Sequence, residues 1–219
     1  MSPTENTKNN RPLIFGAGLI VILALIAFFA TRSDDSGSGT EGSGSDGGED
    51  VEQIRPVTVD GQPLPPFDRD APGGDPAVGQ TAPTIKGAGF DGSEISIAPG
   101  SNPKLVIWVA HWCPHCQREV PRIVEWLKES GTPEGLDLIV VATDVDPNRP
   151  NYPPSEWLER EGLDLPTMAD DAKLSSTDAM GLTAYPFFVL LDPDNKVLAR
   201  DGGELTSEQL DGLVELAGT

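Results

Sequence analysis

Cysteine and histidine are scarce in this chain, with two of each in 219 residues. A zinc centre usually draws four ligands from two separated pairs, and no second pair exists. Clusters of Lys and Arg are also missing, and the formal net charge is −20. Phosphate binding needs such clusters, so nucleic acid is excluded as a partner. The acidic excess reads as a solvated surface that keeps the protein soluble, with attraction to basic partners as the sharper alternative. Hydrophobic residues make up only 37%, and they are unevenly spread. From Ser33 to Asp75 there are eleven acids, two arginines and little that could build a core. The long apolar runs come later, which places the only globular domain at residues 76–219. About 144 residues normally bury a sufficient core without staples. No internal repeat is present.

What is there begins with an uncharged apolar run, PLIFGAGLIVILALIAFFA, over residues 12–30. It is close to the ~20 residues that span a bilayer as a helix. Lys8 and Arg11 precede it, which predicts a cytoplasmic amino terminus at residues 1–11 and an extracytoplasmic remainder. A cleaved signal peptide is the alternative. Ala30 has Phe28, not a small residue, two positions before it, so an uncleaved anchor in a bacterial inner (cytoplasmic) membrane is the expectation. No cysteine stands directly after the run, which excludes lipid-anchored maturation. Residues 31–75 read as a disordered acidic linker rich in Gly, Ser and Pro, because they offer too little apolar surface to offset ordering.

In the domain, residues 84–90 and 93–98 flank Asp91-Gly92 as a hairpin. Residues 104–110 and 136–142 are short apolar runs suited to buried strands. Between them a helix should start at Pro114, where proline loses no hydrogen bond, and end near Gly131, with Pro121 kinking it. Residues 155–161 and 171–180 are short helix candidates. Residues 187–191 and 196–200 form a second hairpin pattern. Thr206 with Gln209 resembles a capping box that opens a last helix, ending at Leu216. The sum is an α/β fold, a mixed sheet covered by helices.

The chemistry gathers in Trp112-Cys113-Pro114-His115-Cys116. A disulfide across two residues constrains the unfolded chain little and makes a poor staple. A local Cu(I) or zinc site using His111 and His115 stands as an alternative, although ligands so close in sequence rarely converge tetrahedrally. Redox chemistry is the leading reading. Cys113 sits where a strand ends and a helix begins, so free backbone N–H groups and the helix dipole stabilise a thiolate there. That thiolate attacks a disulfide, and Cys116 one turn on resolves the mixed disulfide. His115 should favour the Cys113 thiolate further. No cofactor is required.

With these residues in view, the stretch from about Val78 to Gly218 resembles the thioredoxin superfamily, and within it the TlpA/ResA-like branch of membrane-anchored thiol–disulfide oxidoreductases. The matching pieces are Gly79-Gln80-Thr81-Ala82-Pro83, the Asp91-Gly92 turn, the strand-to-Trp112-Cys113 junction, and Cys-x-x-Cys-x-x-Glu-x-Pro ending in Glu119 and Pro121. Tyr185-Pro186 looks like the family's cis-proline, which faces the cysteines. The resemblance implies a thioredoxin fold, a central mixed sheet flanked by helices with an N-terminal β-hairpin extension. It also implies that Glu119 assists proton transfer, that Pro186 shapes the substrate groove and keeps metals from the thiols, and that Trp112 shields Cys113. The plain alternative for Glu119 is a solvated helix glutamate. Thioredoxins proper carry a buried Asp six residues before the first cysteine, where this chain has Ile107.

The implied partners are exported proteins carrying disulfides or dithiols, with apocytochromes among them, and a membrane thiol carrier that supplies electrons. The leading expectation is a disulfide reductase. The Pro114-His115 dipeptide, found in DsbA-like oxidants, points to a disulfide-forming alternative, although the long helical insertion of that group is missing. A peroxiredoxin lacks its threonine in Val109-Ala110-His111. A Sco-type copper module lacks its distant histidine.

Overall fold

Three strands are apolar on both faces and set the centre of the molecule: β4 (Lys104–Val109), β5 (Asp137–Ala142) and β7 (Phe187–Leu191). A computed structural model describes residues 51–218; residues 1–50, which hold the expected anchor and the first part of the expected linker, lie outside the described residues. No helix among the described residues is long and apolar enough to cross a membrane. The other strands are β1 (Thr58–Asp60), β2 (Thr84–Gly89), β3 (Glu94–Ile97), β6 (Thr167–Ala169) and β8 (Val197–Gly202). The helices are α1 (Pro114–Ser130), α2 (Pro154–Glu161), α3 (Ser175–Ala179) and α4 (Ser207–Ala217). One mixed sheet runs β1-β2-β6-β5-β4-β7-β8, with β3 paired to β2. β4, β5 and β6 are parallel, while β7 and β8 return antiparallel.

Alternation along the central strands divides the core in two. Leu105, Ile107 and Val109 join Val140, Phe188 and Leu190 on one face, against Val120, Ile123 and Val124 of α1, Trp157 of α2 and Leu210 of α4. Val106 and Trp108 join Val141, Phe187 and Val189 on the other. Among the described helices only short α3 lies near that second face, and chain from the expected linker completes its cover with Leu64 and Phe67.

The linker boundary at residue 75 is therefore corrected, and the physical reason is hydrogen bonding. In the run Pro63-Leu64-Pro65-Pro66-Phe67 only Leu64 and Phe67 own a backbone N–H. They donate to the carbonyls of Ala179 (2.9 Å) and Gly181 (2.8 Å) at the end of α3. The prolines leave no donor unsatisfied beside a buried surface. Gly181 has φ +67°, and a Cβ there would stand 2.3 Å from the Pro65 carbonyl oxygen, so only glycine fits. Arg200, its side chain fully buried, donates to Asp75 Oδ2 (Nε, 2.8 Å) and Oδ1 (Nη2, 2.5 Å), and from Nη1 to the carbonyls of Pro65 and Met180. Further upstream β1 pairs with β2. Gln53 supplies the cap that Pro153 cannot give α2, accepting from Ser155 N–H and donating to its hydroxyl.

The local expectations otherwise meet the structure closely. The hairpin turns at Gly92 (φ +83°), Thr206 and Gln209 form the reciprocal capping box, and α1 runs through Pro121 to Gly131. The helix expected over 171–180 is shorter. Asp171 accepts from the N–H groups of Lys173 and Ser175, a local turn that competes with helix, and α3 begins only after Leu174 at φ +60°.

Candidate active site

Cys113 ends the loop after β4 and is the N-cap of α1. Its side chain makes no capping bond, and its carbonyl accepts the Gln117 N–H that starts the helix. Cys116 follows one turn later on the apolar face of α1. The two thiols are free and differ in access: Cys113 is 7% exposed and Cys116 is 0% exposed. Cys113 Sγ lies 3.5 Å from the Tyr185 carbonyl, to which its thiol donates. Cys116 Sγ accepts the Ala110 N–H at 3.4 Å. Burial pushes the Cys116 thiol far up, and the neighbouring Cys113 and Glu119 add to the rise while the Ala110 N–H opposes it.

The residues before Cys113 are locked to backbone. His111 is buried, and its Nδ1–H donates to the Pro150 carbonyl at 2.7 Å while Nε2 accepts the Asp146 N–H at 3.2 Å. Both ring nitrogens are thereby taken, and the tautomer is neutral. Trp112 donates its indole N–H to the Asp144 carbonyl at 2.7 Å. The same indole meets the Tyr185 ring edge-on, with centroids 6.4 Å apart, and carries the Arg149 guanidinium at 4.0 Å on its face. The Tyr185–Pro186 bond is cis. Burial raises the Tyr185 phenol to about 12, with the hydroxyls of Thr177 and Thr143 opposing. Those two threonines share a buried network with Asp170.

The residues after Cys113 meet charge instead. Glu119 is fully buried, which excludes the solvated-glutamate alternative. Its Oε1 accepts the Leu205 N–H at 3.1 Å and its Oε2 accepts Arg122 Nη1 at 2.5 Å. Burial raises its pKa, opposed by Leu205 and Arg122 and reinforced by nearby Glu204. Glu204, in the turn before α4, takes Arg118 Nε (3.0 Å) and Nη2 (2.6 Å), His115 Nδ1 (2.8 Å) and Arg122 Nη2 (3.3 Å). Arg118 Nη2 also approaches His115 Nδ1 at 2.9 Å. A carboxylate can only accept, so we read His115 Nδ1–H as a second donor crowded onto the same carboxylate oxygen. These bonds, Arg118's first, hold the Glu204 carboxyl down to about 2.

The structure thus gathers Trp112, Cys113, Pro114, His115, Cys116, Glu119, Tyr185 and Pro186 at one end of β4. Ile107 is buried and offers no ionisable group, leaving Glu119 as the buried acid beside the pair. Sequence reasoning missed Arg118, Arg122 and Glu204. Positions 115, 118, 119 and 122 share a helical face by spacing, a signal that was available for the arginines. Nothing local announces Glu204.

Comparison with known proteins decides the family. The Redoxin family profile matches residues 77–214. The chain belongs to the Redoxin family. It is an oxidoreductase of thioredoxin fold, on the ResA-like side of the superfamily. The thiol–disulfide oxidoreductase ResA of Halalkalibacterium halodurans is 25% identical over 143 residues, covering 65% of this chain and 76% of that protein. ResA of Bacillus thuringiensis is 27% identical over 141 residues, 63% of this chain and 77% of that one. Among solved structures, a thiol:disulfide interchange protein DsbE from Chlorobium tepidum superposes with a TM-score of 0.54 at 20% identity, over 64% of this chain and 96% of that one. StoA from Bacillus subtilis superposes at 0.51, again 20% identical, over 63% and 98%.

Proposed function

We propose that this thiol–disulfide oxidoreductase works as a reductase on the extracytoplasmic face of a bacterial membrane, held there by residues 12–30. Its substrates are disulfides of exported proteins, apocytochromes among them, and a membrane dithiol carrier renews its electrons. The observation that carries the reading is the asymmetry of the pair, a reachable Cys113 at a helix N-terminus over a sealed Cys116.

The Cys113 thiolate attacks one sulfur of a substrate disulfide. A Cys113–substrate disulfide forms, and the first substrate sulfur leaves and takes a proton. Cys116 then loses its proton and attacks Cys113 Sγ, which closes the internal disulfide and releases the second substrate thiol. Two electrons have passed to the substrate. Cys116 resists deprotonation, so this step needs a base, and Glu119 with its raised pKa is the carboxylate suited to it. The Tyr185 carbonyl beside Cys113 offers an acceptor to the substrate backbone or to the thiol.

The disulfide-forming alternative rests on Pro114-His115. Against it, His115 Nδ1 is engaged by Glu204. The copper-handling alternative loses His111, whose nitrogens are both committed to backbone. The test is the reduction potential of the full-length chain in glutathione and dithiothreitol buffers. A value near the ~ −270 mV of thioredoxin is expected, whereas one near the ~ −120 mV of DsbA would replace the reductase by the oxidase.

A further inference from the structure

The proposed reductase and its Pro114-His115 dipeptide pull in opposite directions, and the charged face of α1 holds the reason. A cation beside Cys113 stabilises its thiolate, which stabilises the reduced pair and makes the protein more oxidising. Arg118, in the second turn of the helix that Cys113 caps, is a cation whose own pKa is raised chiefly by Glu204, and the charge of Cys113 contributes as well. His115 is a second donor on the same face, 60% exposed at its side chain and bound to Glu204 at 2.8 Å.

We propose that Glu204 is the positioning residue that sets the redox poise of the pair, by drawing Arg118 and the His115 N–H onto its own carboxylate and away from service to a Cys113 thiolate. Three donor contacts converge on Oε1, at 3.0, 2.6 and 2.8 Å. Oε2 faces Arg122 at 3.3 Å. Arg122 is in turn bound to Glu119, so it cannot relieve Glu204 of the other two. The Pro114-His115 dipeptide places its imidazole next to the pair, and a carboxylate supplied 86 residues downstream of Arg118 engages both that imidazole and Arg118. This inference rests on the thiol–disulfide reading above and adds the group that determines its direction.

The test uses the equilibrium in which the enzyme disulfide and two glutathione thiols give the enzyme dithiol and one glutathione disulfide. Full-length wild type, Glu204→Gln, Glu204→Asp, Arg118→Gln and the Glu204→Gln/Arg118→Gln double variant are compared. Glu204→Gln is expected to raise the constant for enzyme reduction about tenfold, or ~30 mV toward the oxidising side. Glu204→Asp keeps the charge and stays near wild type. The double variant loses most of the gain. Arg118→Gln alone, at an exposed side chain, leaves Glu204 undercompensated and lowers the constant; it decides the matter even if Glu204→Gln folds poorly. An unchanged constant in Glu204→Gln, or an equal rise with Arg118 absent, overturns the proposal while the function stands. A wild-type pair that exchanges no electrons with glutathione overturns both.

Discussion

The two histidines flank the cysteine pair's first member at equal closeness in sequence and live in different chemistry. His111, two residues before Cys113, is buried with both ring nitrogens on backbone. His115, two residues after it, is exposed and answers to a carboxylate and a guanidinium. The lesson is that the approach to Cys113 is a scaffold and the departure from it is an electrostatic device. Residues before the cysteine fix its place through bonds to backbone. Residues after it surround it with charged side chains bound to one another.

Mutation should split the two sides. His111→Ala leaves an Asp146 N–H and a Pro150 carbonyl unpaired around a cavity and should lower unfolding free energy by about 3 kcal/mol. Urea denaturation measures it, and a loss no larger than that of His115→Ala would erase the distinction. Trp112→Phe keeps an aromatic ring, though a smaller one, but removes the donor to Asp144, at a cost of about 1 kcal/mol. A melting temperature equal to wild type would show that ring packing alone holds this residue.

Glu119 belongs to the charged side and adds a pH signature. Its folded pKa is raised, so the folded protein holds that proton more tightly than the unfolded chain does. The stabilisation is fully present below the ordinary glutamate value of about 4.3 and is lost as pH rises through the raised folded value. Glu119→Gln should flatten this decline, and its single-turnover resolution of a mixed disulfide should no longer accelerate with pH. A variant whose stability curve runs parallel to wild type at every pH would remove Glu119 from that role. The smallest stability effect belongs to His115→Ala, within about 0.5 kcal/mol, because its partners are solvent-screened. Its signature is expected in the redox equilibrium instead.

Much of this was readable in the residues. The buried runs of β4 and β5, the proline that opens α1 and the capping box of α4 are local signals, and each element lies where its signal stands. The cysteine pair was legible for the same reason, since strand, turn and helix occur within a dozen residues. β1 and β6 were missed because three residues carry no periodicity. The cover over the second core face was missed because its composition is that of a linker, and only the carbonyls of Ala179 and Gly181, more than a hundred residues away, make it structure. Glu204 was missed likewise. A surface glutamate in a turn has no sequence mark until the fold sets it opposite Arg118.

Arg200 carries a consequence for where this domain begins. Similarity to the family starts at residue 77, and a gene cut there would look complete by alignment. Such a fragment would lose the Asp75 carboxylate and the Pro65 carbonyl that hold the Arg200 guanidinium, and the Phe67 ring that packs on Phe187. Removing one partner of a buried ion pair is strongly destabilising. The evolutionary boundary and the folding boundary therefore differ: homology ends where recognition of relatives fades, but the autonomous unit reaches back to the residue whose charge the interior cannot do without.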